Sequence, residues 1–189
     1  VILDGDTGHG GIMAVRRLVR ECIEAGLAGL RIDDQPLEQK RRTMSVGISI
    51  VSREEAVTRY RIAVGAKDEV ERDFVIMAQC YARNAINGGM AETLKRLRLY
   101  EKDGEVDWVQ FEAPHSIREI KRARRAVKGP FSAMKGQLPR ALTLAEHKAL
   151  GLNAAWYTFL PDQVLKISAW SFFQEFNKND TLAWDVFTQ

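Results

Sequence analysis

Two aspartates separated by one glycine, Asp4-Gly5-Asp6, open the stretch of this sequence best suited to chemistry, and Thr7-Gly8-His9-Gly10-Gly11 follows them. The apolar run before them reads as a strand, and in a strand residues two apart point to the same side. Both carboxylates can then aim at one point, with Gly5 letting a ligand approach the backbone. Two like charges so close are costly unless a cation or a proton neutralises them. Hard oxygen ligands suit Mg2+ or Mn2+, ions that keep several waters and take one or two carboxylates directly. The same residues could instead form a turn whose aspartates cap the next helix, and spacing alone leaves both readings open. A second acidic pair, Asp33-Asp34, ends the next apolar run, and Glu112 ends a later one.

The elements that must position these acids alternate from end to end. Strands are expected over residues 1–3, 28–32, 74–78, 108–111, 131–133 and 154–159. Val15, Leu18, Val19, Cys22 and Ile23 recur at helical spacing after the first strand, and Gly26 stops that helix. Residues 35–50 lack periodicity and read as a long loop. Ser52 with Glu55, Ser116 with Glu119 and Thr143 with Glu146 are capping-box patterns that open three further helices. A helix covers 90–100, Pro161 opens a long apolar one, and a short one covers 181–187. Strands each followed by a helix pair in parallel, in either an open doubly wound sheet or a (β/α)8 barrel. Acids at the carboxyl ends of several different strands favour the barrel, whose mouth gathers such ends. The expected fold is therefore α/β, a TIM-type (β/α)8 barrel with about six βα units. It forms a single partial barrel domain over 1–189, with a helical extension from about 161.

Bulk properties exclude little and point to no macromolecular partner. The 189 residues are 46% hydrophobic and 28% charged, with a formal charge of +3, an ordinary globular composition. Lys121, Arg122, Arg124 and Arg125 lie on the outer side of a helix whose inner stripe is Ile117, Ile120, Ala123 and Val127. No aromatic residues interleave with them, so a solvated face is expected and not a nucleic-acid patch. No apolar run reaches transmembrane length and no signal peptide opens the chain. Cys22 and Cys80 give no disulfide framework and fit a reducing, cytoplasmic setting, an organelle not being excluded.

The segment Ile2–Gly11 resembles the metal-binding strand of isocitrate lyases, whose pattern is Asp-Ala-Asp-Thr-Gly-His-Gly-Gly. Ala25 to Gln35, ending Asp33-Asp34-Gln35, resembles the family stretch ending Glu-Asp-Gln at the same spacing. Phe74-Val75-Ile76-Met77-Ala78 and Gln110-Phe111-Glu112-Ala113-Pro114 resemble two later family strands. The similarity covers nearly the whole chain and identifies it with the isocitrate lyase/phosphoenolpyruvate mutase superfamily, whose fold is a (β/α)8 barrel often exchanging its last helix between subunits. By that comparison the family's first two strands, with a Ser-Gly-aromatic loop, precede the match. The resemblance implies Asp4, Asp6 and Asp33 as ligands of Mg2+ or Mn2+. Asp33 stands where the family usually has glutamate and would act through water. It also implies Asp33, Glu112, Lys40 and Arg41 as catalytic residues, and Gly8, His9, Gln79 and Thr158 as substrate contacts. A small carboxylate substrate and a homo-oligomer, dimer or tetramer, complete the expectation, with neither nucleic acid nor membrane as a partner.

The departures are equally specific. The lyases carry Lys-Lys-Cys-Gly-His on a mobile loop, its cysteine supplying a proton, and here the aligned residues are Lys40-Arg41-Arg42-Thr43-Met44. An arginine stays protonated and makes a poor general acid. A family arginine that clamps a carboxylate aligns with Gln79, and the Asn-x-Ser-Pro-Ser pocket aligns with Met134-Lys135-Gly136-Gln137-Leu138. Lys40, Arg41 and Arg42 read either as a loop closing over an anionic substrate or as a solvated loop. Cys80 reads as packing, His9 as positional, and His115 and His147 carry no role. Trp170, Phe172, Phe173 and Phe176 read as core or subunit contact. The expectation is a metal-dependent carbon–carbon lyase for a small α-hydroxy or α-keto acid other than isocitrate. Phosphonomutase or isomerase chemistry on an enolate, or a non-catalytic relative that binds a metabolite or partner, are the alternatives.

Overall fold

The computed structural model describes residues 1–156 and 160–188 and divides into two compact units, Val1–Ala155 and Trp156–Gln189. The first unit carries strands β1 (Ile2–Asp4), β2 (Gly29–Asp33), β3 (Val75–Cys80), β4 (Trp108–Phe111) and β5 (Phe131–Ala133). Between and after them lie helices α1 (Ile12–Glu24), α2 (Arg53–Asp68), α3 (Met90–Lys102), α4 (Ile117–Arg124) and α5 (Leu144–Ala149). All four strand pairings are parallel, and the strands lie side by side in sequence order. An open doubly wound sheet reverses its order at a switch point. Unbroken sequential order is the winding of a (β/α)8 TIM-type barrel, and it decides between the two closures left open by periodicity.

The core forms between the helices and one face of this sheet. Val15, Leu18, Val19 and Cys22 of α1 are buried, as are Leu30 and Ile32 of β2, each such large side chain contributing about 1.5–3 kcal/mol. α1 ends as Gly26 predicts. With φ +72°, Gly26 donates to the Ile23 carbonyl and Leu27 to that of Cys22, which satisfies two carbonyls left open by the helix end. Ser52 and Ser116 cap α2 and α4 by accepting from Glu55 N and Glu119 N. Thr143 and Glu146 close the full reciprocal box. Elsewhere the glutamates are drawn off by other partners, Glu55 by Arg59 and Glu119 by Arg83.

Several expected boundaries shift. The 35–50 loop contains a short 3-10 turn, Leu37–Gln39, and buries Ile48 and Ile50. Ile117, placed on the inner stripe of α4, is 42% exposed at the first position of that helix. Ala154–Trp156 form no strand; the rest of the sixth expected strand, 157–159, lies outside the described residues. The second unit holds α6 (Leu160–Asn179), a 3-10 turn (Asp180–Leu182) and α7 (Ala183–Phe187). Within it Phe172 meets the Phe173, Trp184 and Phe187 rings edge-on.

Candidate active site

The opposite face of the sheet is polar where a barrel's interior lies. Registered partners share a face, so Asp4 stands beside Arg31, Asp33 beside Gln79, and Gln79 beside Gln110. At the rim β1 does not continue as spacing suggests. The strand ends at Asp4, and Asp6 takes φ +49°, a left-handed conformation that aspartate tolerates better than most residues. Alternation no longer governs the pair, and the two carboxylates do not share one target. Asp4 pairs with the Arg31 guanidinium and also accepts from Asp6 N, while Asp6 pairs with the Lys40 ammonium. The next turn is equally constrained. Gly8, at φ +89°, would carry a Cβ only 2.5 Å from Val15 Cγ2, so only glycine fits there.

Lys40 reaches from the 35–50 loop to both Asp6 and Asp33, its Nζ 2.6 Å from Asp33 Oδ2. Asp33 is wholly buried and accepts from Gln35 N at 3.0 Å. Burial pushes its carboxyl up to about 6, against the pull of Lys40. Burial opposes the charge on Lys40 too, but Asp33 and Asp6 together outweigh it and hold the ammonium above the usual lysine range. One cation is thus already shared by two carboxylates. Mg2+ needs only one or two direct carboxylates, so the Asp6–Asp33 pair fits a divalent ion that displaces Lys40. Asp4 would have to leave Arg31 to join them. Among the described residues no three His, Cys, Asp or Glu side chains are gathered as a ready metal-binding group.

A second cluster lines β3 and β4. Glu112, 1% exposed, accepts from Gln79 Nε2 at 2.8 Å and Gln110 Nε2 at 3.0 Å on Oε2, and from the Thr43 hydroxyl at 2.8 Å on Oε1. The Tyr81 hydroxyl lies 3.3 Å from both Thr43 and Gln79. Burial and the Glu112 charge push its phenol above the ordinary range, so it stays neutral. Behind both clusters Asp34 is fully buried and accepts from Tyr100 at 2.6 Å, from Tyr81 N at 2.8 Å and from Arg96. Arg96 in turn donates to the Val51 carbonyl. Burial raises the Asp34 carboxyl and Arg96 opposes the rise. The second acid of the Asp33-Asp34 pair therefore braces the scaffold.

The remaining expected residues fall as follows. Arg41 is held through its backbone, which exchanges hydrogen bonds with the Gln35 side chain at 2.9 and 3.0 Å. His9, exposed, has φ +60°. Thr158 lies outside the described residues. Cys80 is buried, and burial pushes its thiol well up, in keeping with the packing residue expected from the sequence. Thr43, Tyr81 and Gln110 join the site although none was singled out in the sequence. For two of them a signal existed, since Gln79 with Tyr81 and Gln110 with Glu112 stand two apart along one face. Thr43 lies in the aperiodic loop and had none.

The sequence signature of phosphoenolpyruvate phosphomutase matches residues 1–159. Over 159 residues the chain is 38% identical to 2,3-dimethylmalate lyase of Eubacterium barkeri, covering 83% of this chain and 53% of that protein. Over 119 residues it is 44% identical to isocitrate lyase of Haloferax volcanii, covering 63% and 33%. The fold superposes on oxaloacetate acetylhydrolase in complex with the inhibitor 3,3-difluorooxalacetate with a TM-score of 0.85 at 28% identity, covering 98% of this chain and 66% of that one. The chain spans about half the length, or less, of these curated relatives. No helix of the described residues is long and apolar enough to cross a membrane, and Cys22 and Cys80 are free.

Proposed function

The chain belongs to the phosphoenolpyruvate phosphomutase family, and from that premise we propose that it is a divalent-metal-dependent carbon–carbon lyase for a small α-hydroxy or α-keto acid other than isocitrate. The observation that carries the reading is the convergence of Asp6 and Asp33, from two different strand ends, on one cation. Mg2+ or Mn2+ at that point would polarise the substrate's keto or hydroxy oxygen. Asp6 and Asp33 would hold the ion, with Asp4 as a further ligand if Arg31 releases it. Lys40, displaced from the carboxylates but still protonated, would meet the negative charge that develops as the carbon–carbon bond breaks. Arg41 travels with the same loop. Gly8 and His9 shape the turn beside the ion, and Gln79 with Glu112 lines the far end of the substrate. Arg42 and buried Cys80 cannot supply the proton that a loop cysteine would, so the acid step differs from that of the lyases resembled. The proposal includes a homo-oligomer, since Val164, Leu165, Ile167, Trp170 and Phe173 of α6 are exposed.

One observation favours a non-catalytic binding protein instead. Lys40 already neutralises part of the acidic rim, so the fold needs no metal to hold Asp6 and Asp33 together. Calorimetric titration with Mg2+ and Mn2+ separates the readings. The lyase reading expects saturable binding by the wild type and at least about tenfold weaker binding by Asp6→Asn. Negligible, indistinguishable heats from both proteins would remove it.

A further inference from the structure

We infer that the part of the substrate lying against the β3–β4 wall is an uncharged hydrogen-bond donor, of the primary-amide or hydroxyl class, selected against a carboxylate by Gln79 and Gln110. The inference rests on the lyase reading and narrows its substrate.

The orientation of the two glutamines is set by Glu112. Both point Nε2 at Glu112 Oε2; turning either amide over would press its carbonyl oxygen against the carboxylate. The fixed orientation also leaves one acceptor of the wall without a donor. Gln110 Oε1 is that acceptor: it is buried and has no hydrogen-bond partner among the described residues, in a side chain with no exposed surface. Folded proteins rarely leave such an atom unmatched.

Charge leads to the same conclusion. Glu112 accepts hydrogen bonds from two amides and a hydroxyl, all of them neutral. The cations of the neighbouring strand and loop are held by other acids, Arg31 by Asp4 and Lys40 by Asp6 and Asp33. A substrate carboxylate placed here would bring a second negative charge beside Glu112 in a buried setting. A neutral donor adds no charge to a wall whose acceptors are Glu112 Oε1 and the unmatched Gln110 Oε1. The group now seated on Glu112 Oε1 is of this kind, the Thr43 hydroxyl at 2.8 Å. Thr43 reaches in from the 35–50 loop, so withdrawal of that loop frees the position for the substrate's own donor.

The test compares malate with malamate, the same molecule with its distal carboxylate converted to a primary amide, by calorimetric titration of the full Mg2+-saturated chain. Malamate is expected to bind the wild type about tenfold or more tightly than malate. Gln79→Arg, which returns a carboxylate clamp, is expected to reverse that order. Gln110→Met is expected to weaken malamate several-fold more than it weakens malate. Equal or stronger binding of malate by the wild type overturns the selectivity, needs no variant to fold, and leaves the lyase reading standing. Binding of neither compound overturns the inference as well, and the metal titration of wild type and Asp6→Asn still decides the lyase reading.

Discussion

The acidic rim of β1–β2 and the amide wall of β3–β4 lie on the same face of one sheet and treat a carboxylate in opposite ways. At the rim, Asp6 and Asp33 meet the formal charge of Lys40, and Asp6 keeps about half its side chain in solvent, at 56% exposed. At the wall, Glu112 is 1% exposed and accepts from three neutral donors. An ion pair leaves its anion exchangeable, because another cation can take the place of the first. A carboxylate tied by several short neutral bonds is fixed in direction and selects by shape and donor count. Under the proposed function the two sides divide the labour: the rim would hand its carboxylates to a metal, and the wall would sort the ligand.

The comparison can be broken most directly by deleting one acid from each side. Glu112→Leu strands three donors in the interior and is expected to cost about 3–5 kcal/mol in urea unfolding. Asp6→Ala, which loses a largely solvated pair, should cost less than about 1 kcal/mol. Similar losses from both would show that the two sides do not differ in kind. A middle-sized effect concerns Asp33. Burial lifts its folded-state carboxyl from the ordinary 3.8 to about 6, so the protonated form stabilises the fold fully below about pH 4, and that contribution is lost as pH rises through about 6. Asp33→Asn cannot ionise and keeps it. The variant's melting temperature should therefore gain on the wild type between pH 4 and 7, and parallel curves would contradict the assigned burial. A further small effect is expected at the latch between the two sides. Thr43→Val removes one hydroxyl bond and is expected to cost about 1 kcal/mol, a fall of roughly 2–4 °C in melting temperature. No change would mean that the loop does not lean on Glu112.

Most of the strand and helix plan was legible before any coordinates. Apolar stripes, Gly26 and the Thr143–Glu146 box act within one or two turns, and local signals of that kind survive folding. Legibility was poorer at the site. Asp33 and Glu112 were visible at strand ends, yet the spacing of Asp4 and Asp6 implied a shared target, and the left-handed turn at Asp6 separates them. Asp34, as acidic as its neighbour, serves the scaffold through Tyr100 and Arg96. Thr43 lay in the segment aligned with the family's mobile loop, but an aperiodic loop gives no hint of which strand end it will meet.

Residue type and short-range periodicity determined by themselves that this chain forms parallel βα units with acids at their carboxyl ends, because a two- or 3.6-residue repeat is a property of the local backbone. Which acid faces a cation, which faces amides and which is walled in was decided only when strands far apart in sequence were laid side by side. Burial and hydrogen-bond partners belong to that arrangement and to no segment alone, and they set what a carboxylate can do.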